Sequence, residues 1–505
     1  MLAELLLASQ LAASAAPGPP AARAAVVARD FRRAHEAAIV REFTDLLRIP
    51  NLAARPEGLK QNAEAIRALL AKRSVESRLL EVPGAPPVVF GKRSVPGATS
   101  TVVFYAHYDG QPVDAARWTT GDPFEPALYS AAADQGGKRI DFPPADGSFE
   151  PEERIYARSA GDDKAPIVAL LAALDALDGA GIRPSVNLEF FFEGEEEAGS
   201  PHLASVLAKY KDLLAADLWL FCDGPVHQSR RQQVVFGARG IVGLELTVYG
   251  PRRELHSGHY GNWAPNPAFE LARLLASMKD ADGRVLVADF EAGMAPLGAL
   301  ERQALAKLPP IDEALRRELW LGRTERAPER LEEAILHPSL NIRGLSSGAV
   351  GEQARNVVPE RATASLDIRL VKGLDPTVMV DRVIAHVRAQ GFFVTEEEPS
   401  AEVRGAHARV ARVARETGYR AVRTPMDLPQ ARRAVAAVEA ARGPVLTLPS
   451  LGGSLPLAAF EDVLGAPLVI VPIANHDDNQ HTHDENLRLQ NLWDGIETFA
   501  ALFAM

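Results

Sequence analysis

The sequence predicts an α/β fold in which helices flank a mostly parallel sheet, with a smaller α+β domain inserted into it. Short apolar runs typical of buried strands occupy residues 101–106, 186–192, 217–221 and 468–473. Helical apolar patterns at residues 165–177 and 203–214 fall between these runs. Strands that alternate with helices in this way indicate a sheet whose neighbouring strands are parallel.

The middle of the chain departs from this alternation. Residues 240–249 and 362–371 alternate apolar and other side chains, as half-buried strands do, and a helical pattern follows at 377–390. We therefore predict a first domain at residues 31–240 and 399–505 and an inserted domain at residues 241–398. Residues 130–153, which are rich in glycine and proline, are predicted to be an extended surface insertion.

Length and composition exclude several classes of protein. A chain of 505 residues exceeds the size at which a single core stops growing, so more than one domain is expected. The formal net charge of -11 argues against nucleic acid or a membrane surface as the main partner. Because Cys222 is the only cysteine, an intrachain disulfide and a thiolate zinc cluster are both excluded, and a buried thiol at a strand end is expected to be inert.

The first residues resemble a targeting segment only in part. Residues 5–22 carry no charge, and residues 13–15 resemble a small-residue cleavage site, but Glu4 stands where a signal peptide has a basic region. We treat residues 1–30 as a possible signal peptide or flexible N-terminus. Removal of residues 1 to about 16 would imply a periplasmic or secreted protein; otherwise a cytoplasmic location is expected.

Polar residues follow each predicted strand of the first domain. His107 and Asp109 follow the first apolar run, Asp223 follows the third, and His481 lies beyond the last. Binding sites of open α/β sheets form at this carboxyl edge of the strands. The spacing of His107 and Asp109 places both side chains on one side, where Asp109 can hydrogen-bond the imidazole and fix its tautomer.

Three consecutive glutamates, Glu195 to Glu197, follow the apolar run at 186–192. Their carboxylates repel one another unless cations neutralise them or water solvates them. One reading is a solvated acidic loop. The other is a metal site in which one glutamate binds an ion while its neighbour acts as a base.

Taken together, the motifs resemble the dinuclear zinc peptidase family that includes carnosine dipeptidase and carboxypeptidase G, over roughly residues 35–500. Aminoacylases, acetylornithine deacetylase and succinyl-diaminopimelate desuccinylase are more distant members of the same superfamily. The residues that carry the resemblance are His107-Tyr108-Asp109-x-Gln111-Pro112, Asp162-Asp163-Lys164, Glu193-Gly194-x-Glu196-Glu197-x-Gly199-Ser200, Leu255-His256-Ser257-Gly258-x-Tyr260-Gly261, Gly452-Gly453-Ser454-x-Pro456 and His481.

The resemblance implies two divalent ions in the first domain, which would then be catalytic. His107 and Asp223 would hold one ion, Glu197 and His481 the other, and Asp162 would bridge them. Ligands of this nitrogen and oxygen type suit zinc, although manganese and cobalt are alternatives. The remaining histidines of the last loop, His476 and His483, match no ligand position and are expected to be exposed or to lie behind the ligands.

The resemblance also implies roles in catalysis and substrate binding. A metal-bridging hydroxide would attack the peptide bond, with Glu196 as general base and Asp109 orienting His107. The inserted domain would act as a lid and dimerisation domain, and its His256 would stabilise the oxyanion in the site of a partner subunit. Arg369 would bind the substrate carboxylate, aided by Gly452, Gly453 and Ser454; a structural ion pair is the alternative for Arg369.

The predicted function is therefore metal-dependent hydrolysis of short peptides by a dipeptidase or other exopeptidase that forms a homodimer. Hydrolysis of N-acyl amino acids by the same chemistry is the first alternative. A relative that kept the fold and lost the activity is the second, and the presence of all five ligand residues argues against it. The insertion at 130–153 and Ala165 with Pro166, where relatives commonly have glycine, depart from the family pattern.

Overall fold

The computed structural model describes residues 19–505, so the predicted signal peptide lies outside the described residues. The chain divides into two compact units. The first unit comprises the described residues up to Phe236 together with Thr424–Leu448 and Ala459–Met505, and the second comprises Gly237–Arg423 and Pro449–Ala458. Across residues 19–505, no helix combines the length and the apolar character needed to cross a bilayer.

Helices and strands are numbered in chain order. The helices of the first unit are α1 (Pro20–Leu47), α2 (Pro56–Lys72), α3 (Lys164–Gly179), α4 (Leu203–Lys209), α12 (Pro429–Arg442), α13 (Leu457–Leu464, from Ala459 onward) and α14 (Leu489–Phe503). Its strands are β1 (Glu76–Leu80), β2 (Val88–Arg93), β3 (Thr101–His107), β4 (Ala127–Tyr129), β5 (Arg139–Ile140), β6 (Arg154–Tyr156), β7 (Asn187–Glu193), β8 (Leu218–Phe221), β9 (Gln233–Val235), β18 (Leu446–Leu448), β20 (Leu468–Ile470) and β21 (Asn486–Arg488).

The main sheet of the first unit contains the four predicted strands at its centre. Its order is β1-β2-β7-β3-β8-β20-β9-β18, and the pairs β7–β3, β3–β8, β8–β20 and β9–β18 are parallel. The pairs that involve β1 and β2 are antiparallel. Because parallel strands are covered on both faces, nearly all of their side chains are apolar. The continuous apolar runs in the sequence therefore predict these strands.

Successive residues of β3 lie on opposite faces of this sheet and pack against different layers. Phe104 packs edge-on against Phe503 of α14, with ring centroids 5.0 Å apart. The next residue, Tyr105, faces Phe460 of α13 at 5.7 Å, where Phe191, Trp219 and Phe221 also contact the Phe460 ring. The strand is thereby clamped between two layers, which fixes the position of its last residue, His107.

The N-terminal part of the first unit corrects one prediction. Residues 20–30 are not a flexible N-terminus, because α1 begins at Pro20 and buries Ala21, Ala24, Ala25 and Ala28 in the core beside α3, α12 and α14. Proline suits the first position of a helix because its missing N–H has no partner there. Small alanine side chains allow close helix packing, but they give no strong apolar pattern in the sequence.

The insertion at residues 130–153 is less regular than the rest of the unit and is mostly exposed, as predicted. It is nevertheless fixed at both ends. Strands β4 and β6 flank it, and β5 within it pairs with β4, in a small antiparallel sheet of order β21-β6-β4-β5. The backbone N–H of Phe149 also donates to the buried Glu36 of α1 at 3.0 Å. Since β21 belongs to this sheet, the insertion is tied to the segment that follows His481.

The second unit is an α+β structure built around a long strand. Its strands are β10 (Gly237–Tyr249), β11 (Leu255–His256), β12 (Ser339–Ser346), β13 (Val357–Val358), β14 (Arg361–Leu370), β15 (Phe393–Thr395), β16 (Val410–Arg415), β17 (Val422–Arg423) and β19 (Leu451–Ser454). Its helices are α5 (Ser257–Tyr260), α6 (Pro267–Ala276), α7 (Ala299–Ala306), α8 (Asp312–Glu318), α9 (Leu331–Ala334), α10 (Pro376–Ala389) and α11 (Ala401–Ala406).

The sheet of this unit has the order β12-β14-β10-β16-β15, with β17 and β19 also paired to β10. Its buried face, which includes Val242, Leu244, Leu246 and Val248, packs against α6 and α10. The edge strand β12 is exposed at residues 341–346, including the apolar side chains of Ile342 and Leu345.

The extent of the second unit differs from the predicted 241–398 in two places. Strand β16 pairs antiparallel with β10, so the unit continues to Arg423 rather than ending at residue 398. Strand β19, predicted to lie in the first domain, pairs parallel with β10 and belongs to the second unit. Gly452, Gly453 and Ser454 are therefore part of the second unit.

Phe460→Ala tests the importance of the aromatic layer behind β3. The ring is fully buried, so its removal leaves a large cavity, and we expect the free energy of unfolding to fall by about 3–5 kcal/mol. Phe142→Ala is the matched control, since this ring is 37% exposed and its loss should cost less than about 1 kcal/mol. Chemical denaturation followed by tryptophan fluorescence measures both. Equal losses in the two variants would contradict the packing described.

Candidate metal centre

The carboxyl edge of the main sheet carries most of the predicted site. His107 is the last residue of β3, Glu196 and Glu197 lie in a short 3-10 turn after β7, and Asp223 lies two residues beyond β8. Asp162 comes from the turn between β6 and α3. Because parallel strands end at the same edge, side chains from distant parts of the sequence meet there.

The structure brings the five predicted metal ligands together, with Asp162 between the two histidines. Nε2 of His107 lies 2.9 Å from Oδ1 of Asp162 and 3.8 Å from Oδ2 of Asp223. Nε2 of His481 lies 3.1 Å from the other oxygen of Asp162 and 3.3 Å from Oε2 of Glu197. Each oxygen of one carboxylate thus faces a different histidine.

These residues fit metal ions by both distance and chemistry. Donor atoms of His107, Asp162 and Glu197 lie within 4.8 Å of one another, and so do donor atoms of His107, Glu196 and Asp223. Imidazole nitrogens and carboxylate oxygens are ligands that zinc and similar divalent ions accept. The two donor groups share His107, and Nε2 of His481 also lies within 3.3 Å of Asp162 and Glu197, so the cluster offers enough donor atoms for two ions. Glu196 belongs to the donor group that contains Asp223.

Asp109 holds both the histidine and the glutamates in place. It is fully buried, and its Oδ1 lies 3.3 Å from Nδ1 of His107. Its two oxygens also accept hydrogen bonds from the backbone N–H groups of Glu196 (3.1 Å) and Glu197 (3.0 Å). The predicted contact with His107 is therefore joined by a second one, since the same carboxylate fixes the turn that carries Glu196 and Glu197.

The crowding of carboxyl groups shifts their pKa values. Burial, reinforced by the charge of Asp162, raises the pKa of Glu197 to about 8 and that of Asp223 to about 7. Its hydrogen bond to Asp162 raises the pKa of His481 to about 9. Burial disfavours the ionised form of Asp162, but hydrogen bonds from His107 and His481 outweigh burial and hold the pKa of Asp162 below its usual range.

Two glutamines contact the predicted ligands and were not singled out as site residues from the sequence. Nε2 of Gln480 donates to Oδ2 of Asp162 at 3.1 Å, and Nε2 of Gln111 donates to Oε2 of Glu197 at 2.6 Å. Gln111 stands in the His107 motif and Gln480 precedes His481, so proximity in the sequence was the available signal. Their amides orient the carboxylate oxygens without adding charge.

The remaining polar residues near the site play no direct part in these donor groups. His483 is half-buried, and its Nδ1 lies 3.1 Å from the hydroxyl of Thr482. His476, also half-buried, likewise belongs to neither donor group among the described residues. Cys222 is fully buried, and burial raises the pKa of its thiol well above the usual value, as expected for an unreactive cysteine.

The other predicted site residues lie in the second unit. His256 is exposed at the end of β11, where its Nδ1 accepts a hydrogen bond from the backbone N–H of Gly258 at 3.1 Å. Arg369 of β14 is half-buried, and its Nη1 donates to the hydroxyl of Ser454 at 2.8 Å. That hydroxyl in turn donates to the carbonyl of Gly240 at 3.2 Å. Gly452 and Gly453 lie beside Ser454 in β19.

The fold and the cluster of histidines and carboxylates are those of a metallopeptidase. Residues 103–505 match the family described as Peptidase family M20/M25/M40, and the chain belongs to this family. This finding confirms the resemblance drawn from the sequence motifs.

The chain is similar to named dipeptidases and to a solved carboxypeptidase structure. The Cys-Gly metallodipeptidase DUG1 of Candida albicans is 26% identical over 431 residues, which cover 82% of this chain and 80% of that protein. The human Beta-Ala-His dipeptidase is 26% identical over 433 residues, which cover 83% of this chain and 77% of that protein. Among solved structures, the M20 family metallo-carboxypeptidase Sso-CP2 from Sulfolobus solfataricus has a TM-score of 0.75 at 25% identity, covering 92% of this chain and 98% of that one. The predicted fold class is confirmed by this match.

Metal affinity should rise with pH, because ions and protons compete for the same ligand atoms. His481 and Glu197, whose pKa values are about 9 and about 8, hold protons at pH 6 that a bound ion would displace. We expect a Zn²⁺ titration in the presence of a competing chelator to give about two ions per chain, with affinity at least about tenfold higher at pH 8 than at pH 6. Affinity that does not change with pH would contradict this assignment of ligands.

Proposed function

We propose that this protein hydrolyses dipeptides with the aid of two divalent metal ions, most suitably zinc. The observation that carries the proposal is the position of the Asp162 carboxylate between His107 and His481, within a cluster that also contains Glu197 and Asp223. The metallodipeptidases to which the chain is similar support the choice of substrate class.

The proposed ligand assignment gives His107 and Asp223 to one ion and Glu197 and His481 to the other, with Asp162 shared. Three carboxylates then face two divalent cations, so most of the charge is neutralised inside the site. When bound, the ions would polarise the peptide carbonyl and lower the pKa of a water molecule so that it becomes a nucleophile at neutral pH.

Glu196 is the proposed general base and acid. Its backbone is fixed by Asp109, while its carboxylate lies among the donor atoms of His107 and Asp223. From that position it can accept a proton from the attacking water and hold it on a carboxylate oxygen. The same oxygen can then donate the proton to the leaving amine, which completes the transfer within one side chain.

Arg369 is the proposed binding site for the free carboxylate of the substrate. Ser454 holds its guanidinium, and Arg239 lies opposite Ser454 in the parallel pair of β10 and β19. Arg369 and Arg239 are both cations. Within the described residues, the one ion pair of Arg369 is with Asp367, whose Oδ2 lies 3.6 Å from Nε of Arg369. One positive charge therefore remains for a carboxylate, which a guanidinium can bind through two parallel hydrogen bonds.

A release assay on matched substrates tests the proposed function. We expect turnover of dipeptides with Zn²⁺ or Mn²⁺ added, and a loss of about 30-fold or more in kcat/KM when the terminal carboxylate is replaced by an amide. N-acetyl amino acids are included because the alternative, an N-acyl amino acid amidohydrolase, would prefer them. Preference for these compounds over dipeptides would replace the proposed function by that alternative.

The same assay tests Arg369 when it is applied to Arg369→Ala. This variant should lose most of the discrimination between free and amidated dipeptides, because the carboxylate no longer has a guanidinium partner. Arg361→Ala is the matched control, since Arg361 is an exposed residue of the same strand. Unchanged discrimination in Arg369→Ala would assign this arginine to a structural ion pair with Asp367 instead.

Glu196→Ala should keep both ions and lose turnover. The substitution removes the proposed base but none of the proposed ligands, so we expect kcat to fall by about 10²–10⁴-fold at unchanged metal content. Glu57→Ala, which removes an exposed glutamate from α2, is the control for surface charge. A kcat near the wild-type value in Glu196→Ala would show that another group moves the proton.

We further propose that the protein is a homodimer in which His256 serves the site of the partner subunit. Exposed His256 and the exposed edge strand β12, which can pair with a second copy, support this arrangement. Mixing the variants Glu196→Ala and His256→Ala then creates one intact site in each mixed dimer, which should restore about one quarter of wild-type activity. Two inactive variants that stay inactive after exchange of subunits would argue for sites formed within one chain.

A further inference from the structure

A buried ion pair lies behind the metal centre. Nη1 of Arg158 donates to Oε2 of Glu485 at 2.7 Å, with 2% of the Arg158 side chain and none of the Glu485 side chain exposed. Arg158 precedes Asp162 by four residues, and Glu485 follows His481 by four. The pair therefore joins the two loops that carry these proposed ligands, and neither residue belongs to the donor groups found in the described chain.

Glu485 fixes the backbone of the Asp162 turn. Its Oε1 accepts hydrogen bonds from the N–H groups of Gly161 (3.0 Å) and of Asp162 itself (2.9 Å). Its Oε2 accepts a further hydrogen bond from the N–H of Ser159 at 2.8 Å, besides the one from Arg158. A side chain of the His481 segment thus accepts three hydrogen bonds from backbone N–H groups of the Asp162 turn.

Arg158 extends the connection to the two neighbouring loops. Its Nη2 donates to the carbonyl of Thr482 at 2.8 Å and lies 3.4 Å from the carbonyl of Pro112, in the segment that follows His107 and Gln111. Its guanidinium carbon is 5.4 Å from the ring centre of Trp118. The Arg158 guanidinium consequently joins the Asp162 turn to the His481 loop and to the segment that follows His107.

The His481 loop needs such support because of its backbone conformation. His481 has φ of 63° and Asp484 has φ of 58°, in the left-handed region that side chains other than glycine rarely adopt. Asp484 is held from the other side, where its carboxylate accepts hydrogen bonds from the N–H groups and hydroxyls of Thr119 and Thr120. Contacts outside the loop therefore maintain its shape.

We propose that Arg158 and Glu485 are a positioning pair that sets the separation of Asp162 and His481 and so determines how tightly the site binds its metal ions. The inference rests on the metal site of the proposed function. A buried ion pair adds little to the free energy of unfolding, because the cost of desolvating both charges opposes their attraction. What an apolar pair in the same place could not provide is the network of directed hydrogen bonds that fixes the two loops. Supporting contacts of this kind typically change metal affinity by about 10- to 100-fold.

Glu485→Gln tests the pair, with Glu497→Gln as its matched control. Glu497 is also buried in the first unit and binds a guanidinium through both oxygens, at 3.0 Å and 2.7 Å from Arg29, but it contacts none of the ligand loops. In both variants one oxygen becomes an NH₂ group that cannot accept the hydrogen bonds of its partners. The protein is titrated with Zn²⁺ in the presence of a chelator, and thermal unfolding is measured before Zn²⁺ is added.

We expect both variants to unfold at lower temperature, whereas only Glu485→Gln should bind Zn²⁺ more weakly, by about 10- to 100-fold. Hydrogen exchange should also become faster in Glu485→Gln alone, either at Ser159 or at Gly161 and Asp162, since the oxygen that becomes NH₂ no longer accepts from these N–H groups. Wild-type affinity in Glu485→Gln, or an equal loss of affinity in Glu497→Gln, would overturn the inference.

Arg158→Lys provides a second variant if Glu485→Gln does not fold. Lysine keeps the charge, but one ammonium group cannot reach Glu485, Thr482 and Pro112 together, so Zn²⁺ affinity should still fall. Wild-type affinity in Arg158→Lys would overturn the inference in that case. A wild-type protein that binds Zn²⁺ but cleaves no dipeptide refutes only the proposed function, whereas one that binds no Zn²⁺ refutes both.

Discussion

The Asp162 carboxylate, placed between His107 and His481, is the interaction on which the rest of the site depends. Its oxygens lie 2.9 Å and 3.1 Å from the two imidazoles, and Glu197 and Asp223 approach the same histidines. Several carboxylates cannot remain ionised in a small buried volume without positive charge nearby. Protons and metal ions are the two sources of that charge, and the loops around the site hold the ligand atoms where a metal ion can replace protons.

The rigidity of this arrangement comes from the sheet below it. Strand β3 is covered on one face by α14 and on the other by Phe460, so His107 at its end has little freedom. The loops are less regular, and each is fixed by a carboxylate from elsewhere: Asp109 binds the turn of Glu196 and Glu197, and Glu485 binds the turn of Asp162. Acidic residues thus serve as acceptors for backbone N–H groups as well as proposed ligands.

The central strands and the proposed ligands could be predicted from the sequence for a physical reason. Buried parallel strands are continuously apolar, and the polar residues that follow them, such as His107 and Asp223, mark the edge where a site forms. The assignment of individual ligands, including Glu197, came from the resemblance of the motifs to the peptidase family. The partner of Arg158 could not be found in this way, because 327 positions separate it from Glu485 and neither residue interrupts a pattern. The prediction that β19 lies in the first domain is wrong because two of the four residues of this strand are glycine, which gives no periodic signal. The start of α1 was likewise not predicted, because its buried face consists of alanines, which give no strong apolar pattern.

The pairing of β19 with β10 has a consequence for how the second unit can be exchanged between proteins. Two separate segments of the chain form this unit, and the second, Pro449–Ala458, contributes Gly452, Gly453 and Ser454. A chimaera that transplanted residues 237–423 alone would leave the acceptor's own version of this short strand beside the donor's β10. The unit is therefore not a single cassette, and recombination that preserves its sheet requires four junctions in the gene rather than two.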